Sequence, residues 1–141
     1  MRAKFEIRNP KQCRNSNEQK TMENKNSRKY DLEDRTLLFA KRSRELVSRL
    51  PKSLVNIDDI KQLLRSSGSV GANYIEANEA LSKKDFLMRI KICRKEAKES
   101  RYWLTLLNVD KAEDLKSELE GSIREATELM NIFGSIVRKV E

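Results

Sequence analysis

Apolar residues recur at three- and four-residue spacing in four stretches of this chain, which predicts four amphipathic helices after residue 30. The first is expected from about Leu32 to Leu50, with Thr36, Phe39, Ala40, Ser43, Leu46, Val47 and Leu50 inward, Asp31 as cap and Pro51 as stop. The second is expected after Asn56 as N-cap, with Asp58 and Asp59 in its first turn, running to about Ala80 or Leu81. Its apolar stripe is Ile60, Leu63, Leu64, Ser67, Gly71, Tyr74, Ile75 and Asn78. Gly68 and Gly71 fall inside it, each costing roughly 1 kcal/mol against Ala, so a neighbouring helix is expected to come close there; a break into two shorter helices is the alternative. Ser82-Lys83-Lys84-Asp85 resembles a capping box and opens the third helix, Lys83 to about Leu107, with Phe86, Ile90, Cys93, Ala97, Ser100 and Leu104 inward. Asp110-Lys111-Ala112-Glu113 is a second such box. The fourth helix follows with Leu115, Leu119, Ile123, Ala126, Met130, Phe133 and Val137, weakened locally by Gly121 and Gly134.

Two further stripes do not fit a simple core. Gln62, Ser66, Ser69, Asn73 and Glu76 share one face of the second helix, polar but almost uncharged. Met88, Ile92 and Trp103 lie to one side of the third helix near Glu99 as a second apolar seam. Both read either as surfaces that meet another subunit or partner, or as a polar network and a wide buried face within one bundle.

Short loops make consecutive helices antiparallel, so the expected fold is all-α, an up-down-up-down antiparallel four-helix bundle over 31–141. Composition agrees, with 4 Gly and 2 Pro in 141 residues. Residues 83–101 carry eight Lys/Arg against three acids and residues 110–128 three against seven, so the third and fourth helices are expected to complement each other in charge. Residues 1–30 differ. They are rich in Asn, Lys, Gln, Arg and Ser, contain Pro10 and have no sustained apolar period, which predicts a flexible tail. They hold nine Lys/Arg and three acids, so most of the net charge of +8 belongs to them. The tail reads as a basic arm for a polyanion or as an over-extended start, with Met22 as the alternative to Met1.

Catalytic chemistry is sparsely provided. There is no histidine, which removes the usual general base, the commonest metal ligand and every Ser-His-Asp or Cys-His arrangement. No Gly-rich nucleotide loop occurs, and Glu76 and Glu79 alone make a poor metal site. The expectation is a non-enzymatic protein without cofactor or metal. No apolar run approaches a membrane span, no secretory h-region opens the chain, and Cys13 and Cys93 have no metal-like spacing, all of which points to the cytoplasm.

Gln62-Leu63-Leu64-Arg65-Ser66-Ser67, Ser69-Val70 and Asn73-Tyr74-Ile75-Glu76-Ala77 resemble the signature of the four-helix bundle proteins encoded in 23S rRNA intervening sequences. Asp85-Phe86, Arg89-Ile90, Glu96-Ala97-Lys98-Glu99-Ser100 and Trp103-Leu104 resemble that family's third helix, and Leu50-Pro51 its first helix end. The resemblance covers about residues 31–137. It departs after Glu76-Ala77, where members tend to have Gly and this chain has Asn78. It implies a homo-oligomer, a pentamer in the family, and an association with rRNA. A related bundle serves as accessory factor of a reverse transcriptase, which keeps a protein-scaffold reading open.

The surface expected to bind RNA is the third-helix stripe Lys84, Lys91, Lys95 and Lys98, flanked by Lys83, Arg94 and Arg101. The competing reading of the same residues is a solvated face partnered by the acidic fourth helix.

Overall fold

Good helix formers with few breakers make long helices, and the computed structural model contains four among its described residues: α1 (Ser16–Ser48), α2 (Leu54–Asn78), α3 (Lys83–Leu106) and α4 (Glu113–Val140). It describes residues 16–109 and 113–141, with side chains from residue 32 onward. The chain divides into two compact units, Met1–Leu32 and Glu33–Glu141. In the first, the described backbone is the opening of α1, and residues 1–15 of the expected tail lie outside the described residues. The second unit is the bundle.

The helix starts differ from the sequence reading in two places. α1 begins at Ser16, so Asp31 is an interior position and not a cap. With neither Pro nor Gly between Pro10 and Pro51, a formed helix extends without a new nucleation cost. α2 is capped by Ser53, whose side chain accepts from the Asn56 backbone N–H at 3.2 Å. Asn56 lies inside the first turn, buried, and donates from Nδ2 to the Pro51 carbonyl at 3.1 Å. Asp58 and Asp59 therefore come after the first turn. The expected stop at Pro51 and the α3 cap are present, Ser82 accepting from the Asp85 N–H at 3.1 Å. The α4 capping box lies mostly outside the described residues.

Contacts between helices run in opposite directions along the chain, which makes every neighbouring pair antiparallel. Asn78 of α2 donates to Glu33 of α1 at 2.8 Å, while Arg44, further along α1, reaches Gly68. Ser100 of α3 donates to Ser66 of α2 at 2.9 Å and Arg89 donates to Asn73 at 3.1 Å. Arg101 of α3 donates to Thr127 of α4 at 3.4 Å, and Lys91 pairs with Glu141 at 2.9 Å. Arg35 and Arg49 of α1 reach Glu125 and Glu118 of α4, each at 2.6 Å. The order α1–α2–α3–α4 thus closes on itself as an up-down-up-down bundle. Across its centre the rings of Tyr74 and Phe133 lie 6.0 Å apart at 49°.

The core is built from Phe39 and Leu46 of α1, Leu63 and Val70 of α2, Ile90, Cys93 and Leu104 of α3, and Leu129 and Phe133 of α4. The buried line of α2 runs through Leu63, Ser66, Ser67, Val70, Tyr74 and Ala77, between the two expected stripes, and leaves Ile75 exposed. α4 is likewise rotated slightly. Ser122 and Leu129 are buried, while Ile123 and Met130 are half-buried.

α2 is continuous through both glycines, which play different parts. A Cβ at Gly71 would sit 3.1 Å from Thr36 Oγ1 and 3.4 Å from its Cβ, and Thr36 is buried with its hydroxyl bonded to the Glu33 carbonyl at 3.0 Å. At Gly68 the nearest atom is the flexible Arg44 tip at 3.6 Å. Gly68→Ala is expected to stabilise the bundle by up to about 1 kcal/mol through helix propensity. Gly71→Ala is expected to destabilise it by about 1 kcal/mol, because overpacking against α1 exceeds that gain. Urea midpoints of the two variants should move in opposite directions.

Candidate nucleic-acid interface

α3 turns its small and apolar side, Ile90, Cys93, Ala97, Ser100 and Leu104, into the bundle, which leaves most of its cations outside. Lys84, Lys91, Arg94, Lys95 and Lys98 are exposed and Arg101 is half-buried. They divide between two sides of the helix. Lys83, Lys84, Lys91 and Lys95 rim a shallow depression floored by Leu87, Met88 and Ile92. Arg94 and Arg101 lean toward α4, where they meet Gly134 and Thr127.

The expected charge pairing of α3 with α4 is corrected by the antiparallel register. Four acids of α4 face α1: Arg35 pairs with Glu125 at 2.6 Å and also with Glu128, and Arg49 pairs with Glu118 at 2.6 Å and reaches Asp114 at 4.0 Å. The basic first half of α3 runs beside the last turns of α4, which carry Arg138 and Lys139. Among the described residues, Lys91 is the one member of the predicted basic stripe in an ion pair, with Glu141.

The polar stripe of α2 is divided between the interior and the surface of the bundle. Ser66 is buried and bonded to Ser100, and Asn73 receives Arg89 on Oδ1 while its Nδ2 donates to the Ser69 hydroxyl and carbonyl, both at 2.9 Å. These contacts lie within the bundle, whereas Gln62 and Glu76 are exposed. The apolar seam of α3 also divides. Met88 and Ile92 line the depression, while Trp103 turns to Glu99, donating from Nε1 at 3.3 Å, and meets Tyr102 edge-on at 5.1 Å.

Glu99 belongs to a charged group that sequence reasoning did not assemble. Arg65 of α2 donates to Glu99 at 2.5 Å and pairs with Glu96 at 3.5 Å. Glu96 is buried, and its Oε2 has no hydrogen-bond partner. The Arg65 hydrogen bond, assisted by Trp103, holds the Glu99 carboxyl below the usual carboxylate range against a smaller opposing effect of burial. The folded state therefore releases the Glu99 proton more readily than the unfolded chain. The stability this contributes is complete above the ordinary value of about 4.3 and is lost as pH falls through the lowered folded value. Glu99→Gln is expected to lower the urea midpoint at pH 7, by an amount equivalent to about 0.5–1 kcal/mol for a part-exposed pair, and the gap should close as pH falls through the lowered folded value. A gap that stays constant with pH would contradict this.

Burial pushes the Cys93 thiol up to about 12, so it is a neutral packing group and not a nucleophile. Cys13 lies outside the described residues. No cluster of three His, Cys, Asp or Glu placed to hold a metal occurs among the described residues, and none of their helices is long and apolar enough to cross a membrane.

Residues 28–134 match the family of the 23S rRNA-intervening sequence protein. The chain belongs to that family. The match takes in all of α2 and α3, hence the whole predicted basic stripe, and stops before Arg138. A solved structure of a protein with unknown function from the S23 ribosomal protein family of Bacteroides thetaiotaomicron is similar to this chain. It has 34% sequence identity and a TM-score of 0.64, over 75% of this chain and 97% of that one. No curated protein matches the chain. The departure at Asn78 has a structural role here, since its amide ties α2 to Glu33 of α1.

Proposed function

We propose that this member of the 23S rRNA-intervening sequence protein family is a non-enzymatic, cytoplasmic RNA-associating bundle that self-assembles and meets the phosphate backbone with α3. The observation that carries the reading is the charge arrangement. Arginines of α1 engage the acids of α4, and Lys84, Arg94, Lys98 and Arg101 form no ion pair with a carboxylate among the described residues. Unneutralised cations on a rigid helix attract a polyanion by counterion release, with little demand on sequence. Repetition in a homo-oligomer, a pentamer by family resemblance, multiplies the surface and raises avidity. The family's name adds the link to rRNA.

The full-length protein is expected to bind a fluorescently labelled fragment of 23S rRNA more tightly than duplex DNA, with affinity falling steeply as salt rises. Reversing Lys91, Lys95 and Lys98 to Glu should weaken RNA binding by at least about tenfold and flatten the salt dependence, with helicity unchanged. Equal affinity of wild type and variant would remove α3 as the interface. A second reading, a scaffold for a protein partner such as a reverse transcriptase, is favoured by the apolar floor of Leu87, Met88 and Ile92 inside the lysine rim. Met88→Glu would abolish partner binding in that case, while leaving RNA affinity within severalfold.

A further inference from the structure

The rotation of α3 toward α4 brings together two arginines that the sequence keeps far apart. A Cβ built on Gly134 would lie 3.3 Å from Arg138 Nη1, 3.8 Å from Arg94 Cδ and 3.9 Å from Arg94 Nη1. One guanidinium comes from the same helix a turn later and the other from the neighbouring helix. Both lie over Gly134, which is buried in α4 beneath them. Neither is paired with a carboxylate among the described residues, and the acid one turn further on, Glu141, is taken by Lys91 at 2.9 Å.

We propose that Arg94 and Arg138, converging over Gly134 in the α3–α4 groove, form a seat for one phosphate group of an RNA backbone. This rests on the RNA reading above and gives it a defined contact. Two guanidiniums stay charged at any physiological pH, and an anion held by both offsets their mutual repulsion. Their planar forks suit phosphate oxygens, which two arginines can hold with several charge-assisted hydrogen bonds at once. The glycine lets both arginine side chains lie close over the α4 backbone. In the interior of α4 it costs about 1 kcal/mol against alanine, and a methyl group there would press on the Arg138 tip. The seat also lies on a track. Arg94 and Arg101 both reach α4 along the groove, about 10 Å apart at the helical rise. A phosphodiester strand following the groove meets both.

The test uses the full-length protein and separates this seat from general charge. Arg94→Gln and Arg138→Gln are each expected to weaken binding of the labelled 23S rRNA fragment about tenfold. Because both arginines grip one phosphate, the double variant should be little worse than the weaker single. Lys84→Gln and Lys139→Gln, equal in charge change but apart from the groove pair, should instead multiply. In a parallel arm, inorganic phosphate is titrated against arginine side-chain ¹⁵N–¹H signals, and those of Arg94 and Arg138 should shift together while that of Arg124 stays put. If RNA binds the wild type but the Arg94 and Arg138 effects multiply, or their signals do not respond, the seat is overturned and the broader RNA reading stands. If the wild type binds no RNA, that reading falls. Shifts with inorganic phosphate alone would then mark a free-phosphate site and overturn the RNA assignment.

Discussion

Phe133→Ala is expected to destabilise the bundle by about 3–5 kcal/mol, the largest loss from any single truncation considered. Phe133 is fully buried, and its ring faces Tyr74 across the bundle at 6.0 Å. Removing it deletes the transfer free energy of a phenyl group and leaves a cavity that four helices cannot close without shifting against one another. Domains of this size are held by about 5–15 kcal/mol in total, so the variant should unfold at a far lower urea concentration or fail to fold at all. Phe133→Leu keeps most of the volume and should recover more than half of the loss. A midpoint within about 1 kcal/mol of wild type for the alanine variant would mean that Phe133 is not at the packing centre.

The Arg65–Glu96–Glu99 group makes the second prediction, and its two halves have opposite signs. Glu96 is buried with one oxygen unbonded, and Arg65 at 3.5 Å is the cation that compensates it. Arg65→Met should destabilise the protein by about 3 kcal/mol, because it leaves a desolvated carboxylate without its counter-charge. Glu96→Met should be neutral or stabilising by about 1–2 kcal/mol, since it replaces a poorly satisfied charge with an apolar side chain while Arg65 keeps Glu99 at 2.5 Å. In the double variant, loss of Glu96 should relieve most of the cost of losing Arg65, a coupling that a double-mutant cycle measures directly. Additive effects would show that the two residues do not interact.

Glu96 also illustrates what sequence patterns miss. The rule of three and four placed Ala97 and Ser100 inward, and Glu96 is drawn in beside them because α2 supplies an arginine at the matching height. Nothing local to α3 announces this. Gly134 is the opposite case. A glycine kept inside a helix predicts a close neighbour at Gly68 and Gly71, and it holds at Gly71, where Thr36 is that neighbour, while Gly68 meets only the Arg44 tip. At Gly134 the same rule points to Arg94 and Arg138.

Helix identity was legible because it depends on local quantities. The apolar period, Pro51, the Ser82 cap and the scarcity of glycine act within a few residues of one another, and together with short connections they admit an antiparallel bundle and little else. The belonging of the polar residues was not local. Net charge by segment matched α3 to α4, whereas the folded chain pairs the α4 acids with Arg35 and Arg49 of α1. Composition counts charges per helix, but an ion pair needs the same height and the same face, and antiparallel packing sets the acidic start of α4 beside the end of α3. The same two variables, height and rotation, put Ser66 inside the bundle and Asn73 at its edge against Arg89, left Gln62 and Glu76 outside, and brought two distant arginines over one glycine. The sequence by itself determined which segments coil and which broad side of each turns inward, because helix propensity and burial act over a few turns. Tertiary structure alone decided which charges are neutralised and which stay available to a partner, because screened, short-range electrostatics depend on ångström-scale register between helices.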